Sequence, residues 1–258
     1  MNNFTFTTEE VNEYLNNFSH SFQGFTPVTP RMTPKELARM IDHTMLKPDA
    51  SIDEIDQLCR EALKYGFASV CVNSSYVSRC FNILKDSDVR VCSVIGFPLG
   101  ASASEVKINE TEYTVMNGAA EVDMVINIGQ LKSKDYIYVF EDIKAVSDQA
   151  HGSNAICKVI IETCLLTDHE KITACMIARD AGADYVKTST GFSKGGAVVK
   201  DVALMKYVVE DKLKVKASGG IKTAEDALAM ISFGASRIGT SSGVYIIDTY
   251  KQLYSDGL

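Results

Sequence analysis

Short apolar runs alternate with longer amphipathic segments along most of this chain. The runs are rich in valine and isoleucine, and the segments between them place apolar residues at the spacing of a helix. Eight runs follow this pattern, at residues 40–44, 67–72, 89–97, 121–129, 155–163, 184–189, 214–218 and 236–240. The alternation predicts βαβ units of the α/β class, and eight parallel strands close a (β/α)8 barrel, or TIM barrel.

Local signals mark where the predicted helices begin and end. In a capping box, a hydroxyl and a carboxylate three residues later satisfy free backbone N–H groups. Three such boxes occur, pairing Ser51 with Glu54, Ser102 with Glu105 and Thr167 with Glu170. Glycines that predict left-handed helix ends precede four runs, at Gly66, Gly118, Gly182 and Gly234. An open doubly wound sheet is the alternative, but no G-x-G-x-x-G or phosphate-loop motif opens any helix.

Residues 1–33 do not share the alternation. They are rich in Asn, Thr and Phe, and the prolines of TPVTPRMTP interrupt any regular element there. We therefore expect an N-terminal arm over 1–33 and the barrel over 34–258. The chain length of 258 residues suits a single barrel, which typically takes about 250.

Composition and charge restrict the classes of function. Hydrophobic residues make up 46% of the chain, yet no apolar run reaches the roughly 18 residues that span a bilayer. The seven cysteines show no metal-ligand spacing, and the N-terminal segment lacks the features of a secretory signal. A net charge of -7 without a basic block argues against nucleic acid. We expect a cytoplasmic protein with reduced cysteines that binds neither membranes nor nucleic acid.

Lysines at the ends of two neighbouring strands are the first candidates for chemistry, because the active site of such a barrel lies at the carboxyl ends of its strands. Lys187 ends the apolar part of the sixth run, and Lys216 has a similar position in the seventh. A buried lysine is costly to charge, and a second cation adds to that cost, so the pair predicts a neutral amine nucleophile. The alternative, two exposed strand-end lysines, is disfavoured because both lie on adjacent strands.

Two aspartates in or beside apolar runs are candidates for proton transfer. Asp123 interrupts the fourth run, where an unpaired carboxylate would be costly, so it needs a cation or a catalytic role. It is placed to pair with Lys216 and to move protons through water, with a purely structural ion pair as the alternative. Asp42, which closes the first run, is a second candidate. We interpret the nearby His43 and Lys47 as structural or rim residues.

Glycine-rich turns after the last strands are candidates for binding a phosphate group. Their backbone N–H groups, together with helix N-termini, bind anions at this end of such barrels. The candidate residues follow the sixth, seventh and eighth runs and are Thr190, Gly191, Gly219, Gly220, Gly239, Ser241 and Ser242. One glycine pair alone would indicate only a tight turn, but turns after two successive strands predict a phosphate site.

At these residues the sequence resembles the deoxyribose-phosphate aldolase family. The likeness extends from about Ile41 to Val244 and rests on IDHTMLKPDA, FASVCVN, VIGFPLG, EVDMVINIG, KVIIETCLLT, ADYVKTSTGF, VKASGGIKT and RIGTSSG, in the family's order. The resemblance implies a class I aldolase without metal or cofactor. Such an enzyme cleaves 2-deoxy-D-ribose 5-phosphate reversibly to D-glyceraldehyde 3-phosphate and acetaldehyde in deoxynucleoside catabolism.

The resemblance also implies a role for each matching residue. Lys187 matches the Schiff-base lysine, Lys216 the second lysine, and Asp123 the aspartate that relays protons. Asp42 matches an aspartate near the sugar, and Cys71 a cysteine that lines the pocket. A homodimer is a further expectation that comes from the family alone.

Two other functions are compatible with the same residues. A lysine-dependent aldolase of the transaldolase type would act on a ketose phosphate and use dihydroxyacetone, rather than acetaldehyde, as donor. A barrel without catalytic activity would bind a sugar phosphate, or would bind partners through the arm at 1–33. Such a barrel would form no reducible adduct at Lys187.

Overall fold

Eight parallel strands form a closed sheet in which each strand pairs with the next along the chain and the eighth pairs with the first. The structure, a computed structural model, describes residues 7–24, 26–28 and 30–255. The strands are β1 (Ile41–Met45), β2 (Ser69–Val72), β3 (Arg90–Ile95), β4 (Glu121–Val125), β5 (Ile156–Ile160), β6 (Tyr185–Lys187), β7 (Lys214–Ser218) and β8 (Ala235–Thr240). The predicted (β/α)8 barrel is confirmed.

Several strands are shorter than the apolar runs that predicted them. β4 ends at Val125 rather than at Gly129, because Asn127 caps a short helix that begins at Ile128. β5 ends at Ile160, shortly before Glu162 takes a left-handed backbone conformation with a φ angle of 53°. In both cases the apolar run continues into the turn, so hydrophobicity alone does not mark the end of the strand.

Helices surround the barrel and precede it. They are α1 (Thr8–Gln23), α2 (Pro34–Ala38), α3 (Ile52–Tyr65), α4 (Val77–Leu84), α5 (Ser104–Met116), α6 (Ile128–Lys132), α7 (Tyr136–His151), α8 (Asp168–Asp180), α9 (Val199–Val209), α10 (Ala224–Ser232) and α11 (Gly243–Ser255). All four glycines predicted to end helices have positive φ angles, between 68° and 107°.

The capping boxes have mixed outcomes. Those predicted at Ser51 and Thr167 are confirmed. The box predicted at Ser102 is wrong, because α5 begins at Ser104 after a residue that makes no side-chain cap. The hydroxyl of Ser104 donates instead to Asp142 on α7 at 2.8 Å. A contact with a neighbouring helix therefore ties down the first turn of α5.

Side chains of the strands divide between two environments. Alternate residues such as Val70, Val122, Val159 and Val215 pack in the large apolar core between the barrel and its helices. The residues between them point into the barrel, and many of those are buried charged groups. Branched apolar side chains usually fill this space. The charged interior of this barrel therefore indicates a functional site.

The described part of the N-terminal arm contains a helix that packs on the barrel. α1 lies against α8 and α9. Val11 and Phe18 are buried, and the ring of Phe18 packs against that of Tyr207 with centroids 5.7 Å apart. Residues 1–6, 25 and 29 of the predicted arm lie outside the described residues. None of the described helices has the length and apolar character needed to cross a membrane.

Candidate active site

Lys187 and Lys216 are direct partners in the pairing of β6 with β7. Their Nζ atoms both donate to Oδ2 of Asp123, each at 2.7 Å. The two amines are therefore separated by at most twice that distance. All three side chains are buried. The structure thus brings the predicted nucleophile, the second lysine and the aspartate into one cluster.

Asp42 joins the cluster from β1. Its carboxylate lies 2.5 Å from Nζ of Lys216 and 2.6 Å from a guanidinium nitrogen of Arg237, and it accepts a hydrogen bond from Ser69 at 2.7 Å. Burial would raise the pKa of Asp42, but the charges of Lys216 and Arg237 outweigh burial and lower the pKa. Asp42 is therefore a buried anion that neutralises the cations around it.

Asp123 and Lys216 each stabilise the charged form of the other. Burial would raise the pKa of Asp123, but Lys158, Lys187 and Lys216 hold that pKa well below its ordinary value. Burial would lower the pKa of Lys216, but Asp123 and Asp42 outweigh burial and raise it. Lys216 is consequently a fixed cation, and a fixed cation opposes the charging of a neighbouring amine.

A third buried lysine, not predicted from the sequence, belongs to this cluster. Lys158 of β5 donates to Oδ1 of Asp123 at 2.8 Å and lies 2.6 Å from a carboxylate oxygen of Glu121. Burial would lower the pKa of Lys158, but Asp123 and the other groups around it raise that pKa. The signal was present in the sequence, because Lys158 interrupts the run AICKVIIET as Asp123 interrupts EVDMVINIG.

Positive charges outnumber negative charges inside the barrel. Among the described residues, the buried network consists of the cations Lys158, Lys187, Lys216 and Arg237 and the carboxylates of Asp42, Glu121 and Asp123. Loss of one proton would balance the four cations against the three carboxylates. Within this network Lys187 contacts Asp123 and lines the cavity.

A cavity of about 440 Å³ opens above Lys187 at the carboxyl ends of the strands. Its walls include most of the predicted phosphate residues, namely Thr190, Gly191, Gly219, Gly220, Gly239 and Ser241. Ser242 is not part of the wall, and its N–H group donates to the hydroxyl of Thr240 at 2.9 Å. Lys47, interpreted from the sequence as a structural or rim residue, lines the cavity together with Lys222. The cavity therefore combines glycine turns with two lysines.

Glycine is required at two of these positions for different reasons. The φ angle of Gly219 is +87°, which side chains disfavour. Gly239 allows close packing, because a Cβ atom there would lie 3.0 Å from Cε of Lys216 and 2.9 Å from Cβ of Ser218. The absence of a side chain at Gly239 thus leaves room for the side chain of Lys216.

Glu162, also not predicted from the sequence, holds the turn that follows Lys187. It is buried, and its carboxylate accepts the backbone N–H of Thr190 at 3.2 Å and the hydroxyl of Thr190 in a short hydrogen bond. The N–H groups on either side of Glu162 donate to the carbonyls of Lys187 and Thr188 at 3.0 and 2.9 Å. Thr190 therefore directs its hydroxyl proton toward Glu162 rather than into the cavity.

Two buried thiols lie beside Asp123. Cys71 and Cys92 pair across β2 and β3, and Sγ of Cys92 donates to Asp123 at 3.1 Å. The potential metal-ligating atoms of Cys71, Cys92 and Asp123 lie within 4.8 Å of one another. However, the ammonium of Lys158 already binds Asp123 and Cys92 there, at 2.8 and 3.3 Å. A metal ion would have to displace this lysine, so the three residues fit a metal poorly.

Comparison with known protein sequences connects this geometry to a family. The family model described as DeoC/LacD family aldolase matches residues 37–247. A deoxyribose-phosphate aldolase of Clostridium kluyveri is 59% identical over 217 residues, which are 84% of this chain and 99% of that protein. One of Caldicellulosiruptor saccharolyticus is also 59% identical over 84% of this chain and 99% of its own length.

A solved structure has the same fold. The deoxyribose phosphate aldolase from Aeropyrum pernix, described as tetrameric, superposes with a TM-score of 0.81 at 35% sequence identity. The match covers 86% of this chain and 93% of that one. The similarity to both sequences and structure spans the barrel that carries the lysine cluster.

Proposed function

The chain belongs to the DeoC/LacD family of aldolases, and we propose that Lys187 is the amine through which it acts. The reaction is the reversible cleavage of 2-deoxy-D-ribose 5-phosphate to D-glyceraldehyde 3-phosphate and acetaldehyde, a step of deoxynucleoside catabolism. One observation carries the assignment of Lys187: it shares an oxygen of Asp123 with Lys216, at the floor of a cavity walled by glycine turns.

The reaction begins when the neutral amine of Lys187 adds to the C1 aldehyde of the open-chain sugar. Addition gives a carbinolamine, and loss of water gives a protonated imine. The positive charge thereby returns next to Asp123, whose carboxylate lies 2.7 Å from the amine and stabilises it.

Cleavage of the C2–C3 bond requires an electron sink and a proton acceptor. The iminium is the sink, because the electrons of the breaking bond pass into it and leave an enamine. A water held by Asp123 and oriented by Lys216 accepts the proton of the C3 hydroxyl and later returns it. Protonation of the enamine at C2 and hydrolysis then release acetaldehyde and restore Lys187.

The remote end of the substrate would bind at the glycine turns. Backbone N–H groups near Gly219, Gly220 and Gly239 suit a phosphate, with the hydroxyl of Ser241 and the N-terminus of α11 beside them. Lys222, on the same wall, adds a positive charge. Binding of the phosphate fixes the aldehyde end over Lys187 and so contributes to orientation.

Three predicted site residues have indirect roles in this scheme. Asp42 is fully buried below the cavity and contacts Lys216, so we assign it to holding that cation rather than to contact with the sugar. Thr190 shapes the turn through Glu162. Cys71 is buried in a small apolar cluster with Leu46, beneath the cavity wall.

Reductive trapping tests the nucleophile directly. Borohydride added together with 2-deoxy-D-ribose 5-phosphate should attach the sugar to Lys187 and block tryptic cleavage there. The modified peptide would then run from Asp180 to Lys194. Lys187→Met should remove the adduct, whereas Lys222→Met should keep it. Trapping of the same mass on another lysine in the wild-type protein would overturn the assignment.

The choice of donor separates this proposal from a ketose-phosphate aldolase. Condensation of D-glyceraldehyde 3-phosphate with acetaldehyde should give product, and substitution of dihydroxyacetone for acetaldehyde should give none. The reverse result would favour the transaldolase-type reaction. Absence of any adduct at Lys187 would favour a barrel that binds sugar phosphates without catalysis.

The proposed setting is a homodimer in the cytoplasm. Free thiols persist in a reducing compartment, and all seven cysteines of the structure are free. Light scattering on the purified chain would give its mass in solution. A tetramer, as described for the Aeropyrum pernix enzyme, or a monomer would contradict the dimer.

A further inference from the structure

We propose that Cys71 and Cys92 form a disulfide under oxidising conditions and that this bond switches the active site off reversibly. The two cysteines are direct partners in the register of β2 and β3. Neighbouring strands place Cα atoms about 4.8 Å apart, within the span of about 4.4–6.8 Å found in disulfides. Both side chains point into the barrel, and their sulfur atoms lie within 4.8 Å of each other. Side-chain rotation can bring the sulfurs together without moving the strands.

The two thiols have unequal environments, as an attacking and a resolving cysteine require. The neighbouring Cys92 thiol lowers the pKa of Cys71 against the effect of burial, with help from the charges of Lys216 and Lys187. Burial and the neighbouring Cys71 thiol raise the pKa of Cys92. The thiolate is the form that attacks an oxidant, so Cys71 reacts first and Cys92 second.

A peroxide supplies the oxidising equivalents. The thiolate of Cys71 attacks one oxygen of hydrogen peroxide, the O–O bond breaks, and hydroxide leaves with Cys71 as a sulfenic acid. The sulfur of Cys92 then attacks that of Cys71, the S–O bond breaks, and water leaves with the thiol proton. Two thiols are oxidised, and one peroxide is reduced to two waters. Leu46 lines the cavity and belongs to the same buried cluster as both thiols, so a small oxidant would reach them by displacing this side chain.

The disulfide would disturb the catalytic carboxylate because Cys92 contacts it. Sγ of Cys92 donates to Oδ1 of Asp123 at 3.1 Å and accepts from Lys158 at 3.3 Å. Oxidation removes the S–H donor and draws the sulfur toward β2. Asp123 then loses one of the bonds that orient it between Lys187 and Lys216. Catalysis therefore falls while the fold remains.

The chain offers a matched control in a second pair of neighbouring buried thiols. Cys59 on α3 and Cys80 on α4 form a hydrogen bond with each other that shifts the pKa of both. They pack in the outer core, away from the lysine cluster. A general effect of peroxide on buried thiols would act through either pair, whereas the proposed switch requires Cys92.

The experiment measures the crosslink and the activity on the same sample. After treatment with hydrogen peroxide, the full chain should lose about 2 Da for each disulfide formed. The tryptic peptides 65–79 and 91–107, each with a single cysteine, should be joined. Cleavage of 2-deoxy-D-ribose 5-phosphate should fall at least tenfold and recover with dithiothreitol. Inactivated protein without the joined peptides would overturn the proposal.

Variants complete the test, each compared with its own untreated activity. The double variant Cys59→Ser/Cys80→Ser should lose activity with peroxide and recover it with dithiothreitol, as the wild type does. Cys92→Ser should give no joined peptides. Cys71→Ser, which lacks the attacking thiol, should show no loss that dithiothreitol restores, and the same recoverable loss in Cys71→Ser would overturn the proposal. The joined peptides are detected by mass and do not depend on activity. Failure of the aldolase assignment would leave the untreated protein inactive, whereas failure of the switch would leave active protein without a crosslink or without its effect.

Discussion

The carboxylate of Glu162 accepts both the backbone N–H and the hydroxyl proton of Thr190, three residues after Lys187 in the chain. The hydroxyl oxygen of Thr190 in turn accepts the N–H of Phe192 at 3.1 Å. These bonds fix the turn between Lys187 and the glycine-lined end of the cavity. A buried side chain therefore holds the position of this wall relative to Lys187.

Glu162→Gln should raise KM for the phosphorylated sugar about tenfold and change kcat less, because an amide oxygen replaces a carboxylate in two hydrogen bonds. Thr190→Val should have a similar effect, since it removes the hydroxyl partner. The double variant should raise KM no more than the more damaging of the two single changes does, because both changes break the same contact between Glu162 and Thr190. Steady-state kinetics with 2-deoxyribose and with its 5-phosphate measures KM for each variant. Additive increases in KM in the double variant would contradict the coupling of Glu162 to Thr190.

Lys158→Met should lower kcat by on the order of 100-fold, because Asp123 loses a cation that orients it. Breaking a buried ion pair should also reduce the free energy of unfolding by about 3–5 kcal/mol. Lys107→Met is the matched control, since Lys107 is equally buried and donates to Asp142 at 2.6 Å, outside the site. The control should lose comparable stability but keep its kcat per folded molecule. Equal kcat values for the two variants would remove Lys158 from catalysis.

Asp42→Asn should destabilise the protein in a manner that depends on pH. The pKa of Asp42 is lowered in the folded state, so its charge stabilises the fold above the unfolded pKa of about 3.9. The wild type should exceed the variant by about 3–5 kcal/mol in free energy of unfolding at pH 7. That difference should shrink as the pH falls below about 4. Urea denaturation across this range measures it, and a constant difference would mean that the Asp42 charge is not its source.

Gly239→Ala should reduce kcat about tenfold, because the added Cβ would displace the side chain of Lys216 from Asp123. The φ angle of Gly239 is not positive, so the effect should not arise from backbone strain. Gly129→Ala on α6 is the control, since its Cβ would meet nothing closer than 3.5 Å. The control should keep full activity. Similar kinetics for both variants would show that Lys216 tolerates the displacement.

The sequence predicted the barrel because the spacing of apolar residues differs clearly between the strand and the helix of every βα unit. It predicted Lys187, Lys216 and Asp123 as a group because charged residues in apolar strands are costly. The same reasoning applied to Lys158 and Glu121 would have found two more members of the network. Glu162 carried no such signal, since its contact with Thr190 depends on a left-handed turn that the run AICKVIIET does not indicate. The start of α5 was missed because a contact with Asp142 on α7 determines it.

The charged interior of the barrel has a consequence for how this enzyme can evolve. Each cation there, apart from Lys187, contacts more than one carboxylate, so a single replacement weakens the charge balance around several carboxylates at once. Substitutions at these positions should show strong epistasis, with changes tolerated in compensating pairs and rejected one at a time. The apolar core between the barrel and its helices can accept conservative substitutions one at a time. Residues of the inner network should therefore change together rather than singly.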